Sequence, residues 1–154
     1  MSVKVDLQRI AKKIKLKVSQ YTSKPTMAAI AIEAIRLIKE RTRKGFGVRR
    51  SGQSQYRFPA LSQSYIEQRR RMRLSPFTSA AKSNVTRTGR LVGGIRASIR
   101  EGRAIIAPTG NSREGTSNIK IAEYLLGQDR IFMNLSNTEI KKLKSFLKRR
   151  KTKT

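Results

Sequence analysis

The chain has 154 residues, 37% of them apolar, which is enough for one compact domain with a core of ordinary size. Its 36 Lys and Arg face only 9 Asp and Glu, a formal charge of +27 that opposes a lone compact monomer and attracts polyanions or acidic partners. Cysteine and histidine are both absent, which excludes a disulfide framework, a His-dependent triad and the usual zinc ligand sets.

In chain order, residues 5–18 place Leu7, Ile10, Ala11, Ile14 and Val18 at helical spacing, with lysines and Arg9 around the rest of the axis. Such a basic amphipathic helix could pack on a core, or lie on nucleic acid or a lipid surface. Tyr21 to Pro25 breaks the pattern, and a second helix is predicted over 26–44, with Pro25 at or just before its start and Gly45 ending it. Between Met27 and Ile38 nearly every position is apolar, and the polar stripe is narrow: Glu33, Arg36, Glu40 and Lys44, with Arg36 and Glu40 an i,i+4 pair. A helix this apolar needs cover on most sides, from a sheet on one flank and a neighbouring subunit on the other, or from a deep core.

Residues 45–60, glycine-rich and aperiodic, read as a long mobile loop. The stretch "LSQSYIEQRRRMR" predicts a short helix capped by Ser64 with Glu67, Ser62 being a competing cap, and 74–88 predicts another loop. Ile95, Ala97 and Ile99 alternate with Arg96, Ser98 and Arg100, the pattern of a half-buried strand. Glu101-Gly102 then serves as a tight turn into the return strand "RAIIAP". "TGNSREGTSN" has loop-tip composition, "IKIAEYLLG" reads as a short helix stopped by Gly127, and "DRIFMNL" leads to the last element. There Ser136-Asn-Thr-Glu139 forms a capping box before a helix with the apolar stripe Ile140, Leu143, Phe146 and Leu147, ending in the basic tail "KRRKTKT".

Candidate chemistry is sparse. Gly89 and Gly94 have the glycine spacing of a phosphate-binding P-loop, but Ile95 occupies the position where that loop needs lysine. The nine carboxylates are scattered, and no motif brings two of them together for hydrolysis or several onto a metal. The expectation is therefore no catalytic residue, no cofactor and no metal. The positive signal is cationic: Arg41, Arg43, Lys44, Arg49, Arg50 and Arg57 after the second helix, Arg69, Arg70, Arg71 and Arg73 in the middle, and Lys148, Arg149, Arg150 and Lys151 at the end. These are candidate contacts to DNA phosphates or acidic partners. Nine Phe and Tyr with no Trp give little aromatic interleaving, and no zinc-finger, KH-like or RNP-like pattern is present, so sequence readout is not expected.

The order "IKERTRKGFGV", "FPALSQSYIEQRR", "NVTRTGRLVGGI", "IAEYLLG" and "RIFMNLSNTEIKKLKSFL" resembles the neck and tail-completion (virion morphogenesis) family of tailed bacteriophages. The match runs from the second helix to the end of the chain. A departure is "DRIFMNL", with Arg130 and Phe132, where that family carries an Arg-Pro-like step. The resemblance implies an α+β domain in which an antiparallel sheet of about four strands packs on the 26–44 helix with the C-terminal helix alongside. Residues 1–154 would form that one domain. It makes Thr86, Thr88 and Gly89 the turn that launches the central hairpin, with Leu91, Ile95, Ala97 and Ile99 in the core.

It also implies a structural virion protein, made in the host cytoplasm and placed at the head–tail junction. Its partners would be copies of itself in a hexameric or dodecameric ring, portal or adaptor and tail proteins, and double-stranded DNA in the lumen, with no membrane. The competing expectation from charge alone is a monomeric RNA-binding structural protein such as a ribosomal component.

Overall fold

The computed structural model describes residues 23–100 and 103–151. The amphipathic segment 5–18, the Glu101-Gly102 turn and the last three residues of the tail lie outside them. The fold is α+β.

Helix α1, Lys24–Arg43, begins one turn from Ser23, with Pro25 in its first turn, where a missing N–H leaves no hydrogen bond unmade. Met27, Ile30, Ala31, Ala34, Leu37 and Ile38 recur at helical spacing and are buried, so one stripe of the helix is the centre of the core. The opposite stripe is open: Ile32 is 67% exposed. Gly45 follows with φ of +90°, where a Cβ would sit 2.9 Å from the Ser83 carbonyl oxygen.

The 45–60 segment is not a loop. Strands β1 (Phe46–Val48) and β2 (Gln55–Arg57) pair antiparallel, Phe46 opposite Arg57 and Val48 opposite Gln55. Polar Gln and Arg hide this hairpin from a hydrophobicity pattern. What holds it is tertiary: Val48 and Phe58 are buried, and the Val48 N–H donates to the Ile131 carbonyl at 2.9 Å. Its tip also receives the start of the last helix, the Asn137 side chain and backbone donating to the carbonyls of Gly52 and Gln53.

Helix α2, Gln63–Arg70, takes Ser62 as its N-cap, accepting from the Tyr65 N–H at 3.4 Å. Ser64 and Glu67 therefore do not form the expected capping box. The loop that follows ends at Gly89, whose φ of +77° places it in the left-handed region and starts a one-turn helix, α3 (Arg90–Gly93). Gly89 and Thr88 launch the hairpin as expected, the Arg90 N–H donating to Thr88 Oγ1 at 3.5 Å, whereas the Thr86 hydroxyl is buried without a partner and takes no part in the turn.

Strands β3 (Ile95–Arg100) and β4 (Arg103–Pro108) pair in the register Ile95–Pro108 to Arg100–Arg103. Ile95, Ala104 and Ile106 are buried against α1, and Leu91 joins them. Ala97 stays exposed despite the alternation, so of the expected core face of β3 only Ile95 is fully buried and Ile99 partly. The two hairpins remain separate two-stranded sheets; the single four-stranded sheet does not form. Helix α1 packs on both, and on the last helix.

Helix α4, Asn118–Gly127, is capped by Ser117, and α5, Asn137–Lys151, is launched by the expected capping box. The Ser136 N–H donates to Glu139 Oε2 at 2.7 Å and the Glu139 N–H donates to Ser136 Oγ at 3.3 Å. Leu143 and Leu147 then reach the core formed by α1, Phe58, Ile106, Phe132 and Leu135. Among the described residues no helix is long and apolar enough to cross a membrane.

Candidate functional site: a cationic cleft

The predicted cations separate into two groups once folded. Arg41 and Arg69 are removed from the surface, at 5% and 3% exposure. Arg41 stands on the buried stripe of α1, where its guanidinium pairs with Glu139 and donates to the carbonyls of Phe132 and Asn134. Burial pulls that guanidinium below its ordinary value and the charge of Glu139 opposes the shift; arginine stays protonated throughout. The pair ties α1 to the cap of α5. Arg69 donates to the carbonyls of Ser79 and Lys82 and to Thr78 Oγ1, near 3 Å in each case, and so shapes the 75–82 loop. Neither is a contact for DNA or a partner protein.

The rest stay at the surface. Lys44 is exposed and pairs with Glu40 at 2.9 Å. Arg49 lies 5.6 Å over the Tyr56 ring, and Arg50 and Arg57 are exposed around the β1–β2 hairpin. Arg70, Arg71 and Arg73 are exposed after α2. Lys148, Arg149 and Arg150 are exposed at the end of α5, Arg150 lying 6.0 Å from the Phe146 ring, and Lys151 is its last residue. These three groups stand on different elements: the β1–β2 hairpin, the end of α2 and the end of α5.

Two of the predicted set, Lys44 and Arg43, line one cleft, and Arg43 meets a loop aromatic there. Its guanidinium carbon lies 3.9 Å over the Phe77 ring, a cation–π stack that holds the planar fork in place. Asn84, fully buried, locks the wall behind it, donating to the carbonyls of Arg43 at 3.0 Å and Phe77 at 2.8 Å while accepting from the Thr78 hydroxyl at 2.7 Å. The cleft, about 740 Å³, lies between the C-terminal half of α1 and the 75–82 loop. Arg36, Lys39, Arg43, Lys44 and Lys82 line it against one carboxylate, Glu40.

Lys39, Lys82, Arg96 and Phe77 were not among the sequence-predicted residues. Lys39 and Arg43 share a helix face with Arg36 at i, i+3 and i+7, a spacing readable from the chain. The loop partners could be found only by folding. Lys39 Nζ and Arg96 Nη1 both donate to the Gly93 carbonyl, at 3.3 and 2.6 Å, so two cations converge on one oxygen. Burial first, then repulsion from Arg96 and Arg43, holds the Lys39 ammonium below its ordinary value. Among the described residues, no carboxylate pairs with Lys39, Arg43, Lys82 or Arg96.

A second concavity, about 620 Å³, runs between Leu61, Tyr65, Val85 and α4, where Tyr124 is 68% exposed. Among the described residues no group of three or more metal-ligating side chains occurs. No family model, no curated protein and no solved structure matches the chain.

Proposed function

We propose that the chain is a structural virion protein of a tailed bacteriophage, a ring-forming subunit of the head–tail connector that acts in tail completion and genome passage. Its work is assembly, not catalysis. The observation that carries this reading is Ile32, 67% exposed in the middle of the apolar 27–38 run. An isoleucine on the outer stripe of the longest core helix gains nothing in water, and a neighbouring copy would cover it. Ile119 and Tyr124, 41% and 68% exposed on α4, offer a second apolar surface of the same kind.

The charge supports the same view. At +27 per subunit, a hexamer or dodecamer holds together only where acidic portal, adaptor or tail proteins, or the DNA in the lumen, neutralise it. The exposed patches around the β1–β2 hairpin, after α2 and at the end of α5 are the surfaces for those contacts. The order of short motifs along the chain, which resembles that of the neck and tail-completion family, supports that position in the virion.

Light scattering and negative-stain microscopy of the full chain, at low and high salt and with duplex DNA, test this. Closed rings of six or twelve subunits are expected. A chain that remains monomeric under every condition, or that forms a defined complex with RNA as a monomer, overturns it.

A further inference from the structure

We propose that the cleft between α1 and the 75–82 loop is a binding site for the phosphodiester backbone of nucleic acid, held by Arg43, Lys39 and Lys82 with Phe77 as the platform for the arginine. The site lies on one chain, so ring formation and this binding can fail separately.

Four features select this ligand. First, the donors are organised before any ligand arrives. Arg43 lies flat on Phe77 at 3.9 Å, and its backbone carbonyl is pinned by Asn84, so its fork presents donors in a fixed plane. A planar fork of this kind suits a phosphate's paired oxygens. The Arg43 Nε is buried without a hydrogen-bond partner.

Second, the cations repel one another. Lys39 and Arg96 meet on the Gly93 carbonyl with no carboxylate between them; burial first, and then the charges of Arg96 and Arg43, hold the Lys39 ammonium below its ordinary value. An anion in the cleft relieves it. By contrast, the acid-paired cations Arg36 and Lys44 stand at the Glu40 end, already neutralised.

Third, the unpaired cations form a row. From Lys39 to Arg43 is four residues of α1, about 6 Å at the helical rise, which spans about two nucleotide steps along a duplex axis. A lone phosphate would meet one end of such a row; a chain of phosphates meets all of it.

Fourth, the cleft is an open surface feature whose charged lining is cationic except for Glu40, and the absence of base-reading motifs agrees with phosphate binding that ignores sequence.

The test is a fluorescence-anisotropy titration of a labelled 20-base-pair duplex against the full chain, repeated over a range of salt. Arg43→Gln/Lys82→Gln is expected to weaken binding about tenfold and to lower the salt slope by about 2, the signature of two lost phosphate contacts. Arg43→Lys keeps the charge but loses the fork and the stack, and is expected to weaken binding several-fold. Thermal melting of each variant verifies that the fold is intact, and Lys120→Gln/Lys141→Gln, exposed and outside both the cleft and the proposed contact patches, is the control for general charge.

Binding of single-stranded RNA of equal length with the same loss in the variants also supports the site and names RNA as a source of the phosphodiester. Three results would overturn it. The cleft variants match the Lys120/Lys141 control, Arg43→Lys binds like the parent chain, or poly-glutamate or inorganic phosphate displaces the duplex at equal charge concentration.

Discussion

At the scale of single residues, the decisive distinction is between cations that neutralise something inside and cations that face out. Arg41 and Glu139 are 98 positions apart and both nearly inaccessible. A buried pair contributes little relative to an apolar replacement, but breaking it strands a charge. Glu139→Gln and Arg41→Met are each expected to cost about 3–5 kcal/mol in urea denaturation. The double variant Arg41→Met/Glu139→Leu should recover part of that loss. Asn84 has the same character without charge: three hydrogen bonds at full burial, so Asn84→Ala should cost about 2–3 kcal/mol and loosen the wall of the cleft as well.

At the scale of elements, the β1–β2 hairpin depends on close packing where a side chain would not fit. A Cβ on Gly47 would lie 2.7 Å from the Ile131 carbonyl oxygen and from a Phe58 ring carbon. Gly47→Ala is expected to lose about 1–3 kcal/mol, read as an earlier denaturation midpoint, because backbone must shift to admit the methyl. On α1, the outer ladder of Glu33, Arg36, Glu40 and Lys44 has a pH signature. The side-chain hydrogen bond from Arg36 holds the Glu33 carboxyl below its ordinary range, and Lys44 does the same for Glu40. A depressed carboxylate contributes stability that is present above its unfolded value and lost as pH falls through the folded one. Glu33→Gln/Glu40→Gln should therefore flatten the acid limb of a stability–pH curve, by less than about 1 kcal/mol since the pairs are largely solvated.

At the scale of the whole molecule, the surface holds more positive charge than nine carboxylates can balance and an apolar position that no described contact covers. Ile32→Asp changes a solvated position, so the monomer's stability should stay within about 0.5 kcal/mol of the parent. Assembly seen by light scattering should be lost. Equal assembly in that variant would mean that α1 does not form the subunit contact.

Much of this was legible in the residue order, and the particulars show why. The existence of α1, the capping box at Ser136 and Glu139, the apolar alternation of β3 and the helix ending at Gly127 follow from neighbours four or fewer positions apart, so local spacing specifies them. The charge, and the absence of thiols and imidazoles, follow from composition alone. The tertiary structure decided the rest. It chose Ser62 over Ser64, paired β1 with β2 through burial of Val48 and Phe58, and took Arg41 and Arg69 inside. It also set Arg43 on Phe77, beside Lys82 and near Lys39 and Arg96. Those outcomes turn on which distant segments meet, a property of the packed chain that no short window of residues contains.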